Sequence, residues 1–178
     1  MRLKAYLLIL ALICLLLVSF ACATTDDNIK AERELTQRLW QSLMDYNFEL
    51  ATAEQIYKET LNHASDLLTA GEINTRELRG REYQATLIYA NTIKFLDSKP
   101  RYTELNIWLW RGIGDGKPPE LAHSMPEFEV DKEQAEIQYE QYLQDYIESH
   151  LSVVDEFCEY LKAKADELNL ELTYEPTL

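Results

Sequence analysis

The chain has 178 residues, 47% of them hydrophobic, with 31 Asp and Glu against 17 Lys and Arg. That length gives one domain with a continuous core. Setting aside the leader's Arg2 and Lys4 leaves 15 basic against 31 acidic side chains, a formal charge of −16, which argues against nucleic acid as a partner because phosphate backbones are held by Lys and Arg.

The run from Ala5 to Ala23 carries no charge, follows Arg2 and Lys4, and stops just before Asp26 and Asp27. A basic start, an apolar stretch through Leu7, Leu10, Leu15 and Val18, and small residues at Ser19, Ala21 and Ala23 read as an export signal. The remainder is therefore expected to fold outside the cytoplasm. Ala21-Cys22-Ala23 satisfies the A-x-A cleavage pattern, which would free a soluble secreted chain starting at Thr24. The same stretch, Val18-Ser19-Phe20-Ala21-Cys22, resembles the lipobox of bacterial lipoproteins. Ala21 and Cys22 match that box, while Ser19 and Phe20 take places usually held by aliphatic and small residues. The resemblance covers the leader alone and implies cleavage before Cys22 and acylation of its thiol, tethering the protein to the membrane. A third fate is retention as an anchor, since about 20 apolar residues span a bilayer. The leading expectation is a lipoprotein-like export signal at 1–21 and a single helical domain at 22–178. Cys14 and Cys22 belong to the leader, so Cys158 is the one thiol of the folded part and no disulfide scaffold is expected. In an apolar helical stripe Cys158 reads as a small buried hydrophobe.

From Asp26 to Ala70 there is neither Pro nor Gly, and Leu35, Leu39, Leu43, Tyr46, Leu50, Ala53, Tyr57, Leu61 and Ala64 recur at steps of three or four. The spacing predicts one long helix, roughly 65 Å at 1.5 Å per residue, ended by Gly71. Asn74-Thr75-Arg76-Glu77 forms a capping box that opens a second helix over about 75–98, before Pro100. Arg76, Arg79 and Arg81 are the only concentrated basic spot, and Glu77 and Glu82 among them point to local ion pairs. Over 99–130 the pattern breaks: Gly112, Gly114, Gly116, Pro118 and Pro119 lie there, with Leu105-Asn106-Ile107-Trp108-Leu109-Trp110 as the aromatic-rich apolar segment. Alternation of those six residues fits a strand, and a short helix fits equally. A third helix is expected from about Asp131 to Leu168, followed by Leu170–Leu178 as an extended tail or edge strand.

The second helix is too short to cover the other two. The expected fold is all-α: an elongated antiparallel three-helix bundle with the Trp-rich insertion, Leu105, Ile107, Trp108 and Leu109 above all, as a partial fourth layer.

Catalytic signatures are weak. Gly112-Ile-Gly-Asp-Gly-Lys117 lacks the P-loop spacing and runs into Pro118, no Gly-x-Ser-x-Gly occurs, and His150 lies two turns from Cys158. Glu59, His63 and Asp66 share a helix face and are weak metal candidates, against ordinary interhelical hydrogen bonds for His63 or His150; no cofactor is expected. Tyr83, Tyr89, Tyr139, Tyr142, Tyr146 and Tyr160 read as core-edge phenols, or, if several converge with Trp108 or Trp110, as an aromatic groove for a peptide, glycan or small apolar ligand. The functional expectation is a non-enzymatic, lipid-anchored module binding an unknown envelope protein through Trp108, Trp110 and Arg111. The alternative is a soluble extracytoplasmic carrier of a small ligand or metal, using the bundle interior near His63 and the insertion.

Overall fold

The computed structural model describes residues 2–112 and 132–176, with side chains from 26 to 110 and from 134 to 176. The leader side chains, Cys22, Arg111, the 113–131 stretch and the Asp131 cap lie outside these described parts. The fold is all-α, and the described residues contain no strand. The first helix, α1, runs Arg2–Thr69, beginning well before Asp26 because Leu and Ala dominate the leader and no Gly or Pro interrupts it. Helix α2 is Thr75–Asp97, a 3₁₀ turn covers Pro100–Tyr102, α3 is Thr103–Gly112 and α4 is Lys132–Glu167. Among the described residues no helix is long and apolar enough to cross a membrane.

Local chemistry sets the ends. Gly71 takes φ +72°, and Gly71 N donates to Leu68 O at 3.0 Å while Glu72 N donates to Leu67 O at 2.9 Å, the double bond of a Schellman motif. Asn74 opens α2 as expected. Its Oδ1 accepts from Arg76 N and Glu77 N at 2.9 and 3.0 Å, and its own N donates to Glu77 Oε2 at 2.9 Å. At the far end Lys99 is extended, as the residue before Pro100 must be. α4 closes on Asn169 at φ 48°, with Leu170 N donating to Ala165 O at 2.8 Å, a second Schellman turn with Asn in the glycine place.

Helix α1 packs against both α2 and α4, and α2 against α4. The Tyr46–Asp97 and Tyr57–Thr86 hydrogen bonds make α1 and α2 antiparallel. The Glu32–Lys164 ion pair and the Tyr46–His150 bond make α1 and α4 antiparallel too. It follows that α2 and α4 are parallel, with Tyr83 beside Tyr139 and Asp97 beside His150. A strictly up-down-up bundle would have paired the helices otherwise.

The core runs along Leu39, Leu43, Tyr46 and Leu50 of α1, Tyr89, Ala90, Ile93 and Leu96 of α2, and Leu143, Ile147, Val154, Phe157 and Leu161 of α4. Phe157 holds the core position beside which Cys158 is half-buried, and burial pushes the Cys158 thiol up. The six-residue Leu105–Trp110 segment is helix, and the strand reading is set aside. Leu105 and Leu109, one turn apart, are buried on α1 and α4 while Ile107 and Trp108 face outward. Glu49 holds the turn that leads into α3. It receives Tyr102 Oη at 2.7 Å and pairs with Lys99 and Arg101.

The chain after α4 runs as an irregular tail back along α1. Gln37 Nε2 donates to Thr173 O at 2.7 Å and Thr173 N donates to Gln37 Oε1 at 3.3 Å. One helical turn on, Glu175 N donates to Gln41 Oε1 at 3.1 Å and Gln41 Nε2 returns a bond to Glu175 O. Tyr174 Oη donates to Asp45 Oδ1 at 3.1 Å. The two glutamine amides present one donor and one acceptor each, as a neighbouring strand would.

Candidate functional site

Two constellations stand out, one closed and one open. The closed one sits where α2 ends against the middle of α1 and α4. Tyr46 and His150 are fully buried, and the Asp97 side chain is 16% exposed. Tyr46 Oη donates to Asp97 Oδ1 at 2.9 Å, so at 2.7 Å His150 Nε2–H must donate to Tyr46 Oη. That leaves Nδ1 as the unprotonated nitrogen, 3.7 Å from Asp97 Oδ2. Despite that proximity the pair is not a salt bridge: burial lowers His150 to about 4, and burial raises Asp97 to about 7 with the Tyr46 bond partly opposing it. Burial also raises Tyr46 well above the ordinary phenol range. Tyr102 packs edge-on to Tyr46 at 5.1 Å and the Trp110 ring lies 5.3 Å from His150. His150 Nδ1, Trp110 Nε1 and Asn106 Oδ1 are buried without hydrogen-bond partners among the described residues. With no solvent exposure at Tyr46 or His150, this cluster is a joint between helices.

The open constellation is a groove of about 350 Å³ between α1 and α2. The α1–α2 register sets Ala53 level with Thr92, Ile56 with Ile88, Thr60 with Gln84, and Ala64 with Arg81, and all eight line it. The groove is concave because Ala53, Ala64 and Ala85 are too short to fill the seam. Ile56 and Ile88 flank it at 58% and 64% exposure. Its floor includes Tyr89, stacked on Tyr57 with centroids 5.1 Å apart. Tyr57 Oη lies 3.3 Å from Thr86 Oγ1, whereas Tyr89 Oη is buried with no partner and burial pushes its pKa up to about 12.

Trp110 is 5% exposed and belongs to the core beside His150, whereas Trp108 is 37% exposed and stands on the surface. The two therefore do not form one outward face. Trp110 is a packing residue because the helical period of α3 turns it inward with Leu105 and Leu109. Glu59, His63 and Asp66 are all exposed, and Glu59 accepts from Gln55 at 2.8 Å. Among the described residues no group of three or more His, Cys, Asp and Glu gathers as a metal site. Of these residues His63 alone reaches the groove. His150 makes the interhelical hydrogen bond considered for it; Tyr57 and Tyr89 line a groove, but neither Trp108 nor Trp110 joins them there. The Tyr46–Asp97–His150 unit left no mark in the sequence, because its members are 51, 53 and 104 positions apart. Comparison with protein families, curated proteins and solved structures found no match for this chain.

Proposed function

We propose that the protein is a non-enzymatic, envelope-associated binding module, tethered outside the cytoplasm by an acyl chain on Cys22, and that the α1–α2 groove is its binding surface. In this reading residues 22–178 form one elongated three-helix bundle with the Trp-bearing α3 region as a partial fourth layer. The observation that carries it is the groove itself: an apolar, solvent-open concavity flanked by two exposed isoleucines, of the size that small-ligand sites have. A non-catalytic role is supported by the separation of the two constellations. Asp97 and His150 line no part of the groove, and the one groove residue with a shifted pKa, Tyr89, is held protonated by burial.

The second reading, a soluble carrier of a small ligand, is favoured by the same groove and differs only in the fate of the leader. The intact mass and first residue of the exported protein separate the two. An acylated Cys22 as first residue, with Cys22→Ser releasing the protein from the membrane fraction, supports the tethered module. A free Thr24 supports the soluble carrier, and an intact Met1 rules out both cleavages.

A further inference from the structure

The groove ends on a cation that no other described residue pairs with. Arg81 lines it at the level of Ala64, with His63 on the facing wall, and both side chains are exposed. Among the described residues Arg81 has no ion pair. Its neighbours are engaged: Glu77 is spent on the Asn74 cap, and Arg79 acts on the Glu140 carboxyl, partly opposing the burial and the Glu82 charge that hold that carboxyl above its ordinary value. At the opposite end the basic residues are committed as well, with Lys99 and Arg101 both on Glu49. Between these ends lies a floor of Ala53, Ala85 and the flanking Ile56 and Ile88, with the partnerless Tyr89 hydroxyl buried at 3% exposure.

On the reading of the groove as the binding surface, we propose that its ligand is an amphipathic carboxylate: an apolar chain or ring system bearing one acid group. The apolar body lies along Ile56 and Ile88, and the carboxylate takes the Arg81 guanidinium, with which it can form two parallel N–H···O bonds. A partner helix is the lesser fit. The groove spans eleven residue steps of α1, roughly 16 Å, and its volume is at the lower end for small-molecule sites.

The test uses the intact exported protein, held in amphipol, titrated with decanoate and with decanol as a chain of equal length without charge. Decanoate should bind at least about tenfold more tightly, the worth of one hydrogen bond to a charged group. Arg81→Gln should bring decanoate down to the decanol affinity and leave decanol unchanged. Ile88→Ser should weaken both, and Arg38→Gln, elsewhere on α1, neither. Equal binding of the two probes, or an unchanged preference in Arg81→Gln, overturns the carboxylate assignment; if Ile88→Ser still weakens both, the groove remains the binding surface. If neither probe binds and a photocrosslinker at Ile88 captures a protein, the ligand class is wrong and the groove reading stands. If neither probe binds and nothing is captured, both fall. All three variants change exposed residues, and an unchanged melting temperature certifies the fold.

Discussion

At Asp97 and His150 burial acts in opposite directions on two groups joined through one tyrosine hydroxyl. Asp97 ordinarily titrates near 3.8 and is raised to about 7; His150 ordinarily titrates near 6.5 and is lowered to about 4. Between about pH 4 and 6.5, unfolding releases a proton at Asp97 and takes one up at His150. Asp97 alone would make stability greatest below about pH 4 and falling as pH rises to about 7. His150 alone would make stability greatest above about pH 6.5 and falling as pH drops to about 4. Together they cancel, so the wild type should show a nearly flat contribution from this site across that window. His150→Gln, which keeps a donor for Tyr46, should unmask a decline in stability with rising pH. Asp97→Asn should unmask the reverse, each slope approaching about 1.4 kcal/mol per pH unit. Urea unfolding at half-unit pH steps measures both, and two flat variant profiles would contradict the assignment. None of this was legible beforehand: a helical stripe marks His150 as inward, but nothing local in the sequence names a partner half a chain away.

At the scale of elements, the tail is held by a ladder whose two sides have unequal steps. Four helical residues rise about 6.0 Å, while two extended residues rise about 6.6 Å, so the register drifts at every rung. Two rungs form, at Gln37 and Gln41, and at the third α1 position Asp45 receives the Tyr174 hydroxyl instead of backbone. Gln37→Ala with Gln41→Ala should therefore free the tail without melting the helices. Amide exchange at Thr173 and Glu175 should rise about fivefold, in keeping with the loss of a net hydrogen bond of about 1 kcal/mol at each. Unchanged exchange there would mean that the Tyr174–Asp45 bond and the bonds from Arg33 Nε and Nη2 to Leu168 O suffice to hold the tail. The elements divide cleanly by how local their causes are. Asn74-Thr-Arg-Glu77 and Gly71 could be read because caps are short-range, and the long helices because their three-four spacing persists for many turns. Leu105–Trp110 could not, since Leu105, Ile107 and Leu109 satisfy a strand while Leu105 and Leu109 satisfy a helix. What decides it is tertiary: Pro100 breaks α2, and Glu49 pins Tyr102 so that the following turn is helical.

Over the whole molecule, α3 packs on both α1 and α4, and Trp110 is its largest buried side chain, set against His150 of α4. Trp110→Ala should cost about 3–5 kcal/mol, read as a large drop in the denaturant midpoint. Trp108→Ala should cost about 0.5 kcal/mol. Equal losses would mean that both rings pack inward. The groove escaped the sequence for a different reason: it is a shortage of volume, and Ala53, Ala64 and Ala85 carry the same helical spacing as core residues that do meet a partner. Its position on α1 has a consequence for supply. Thirty-four residues of the one continuous helix separate Cys22 from Ile56, a rise of roughly 51 Å, against about 30 Å for the hydrocarbon core of a bilayer. With the proposed anchor at Cys22, α1 can act as a mast, holding the groove up to that distance clear of the lipid surface, where a ligand must be handed over through the aqueous space instead of entering sideways from the membrane.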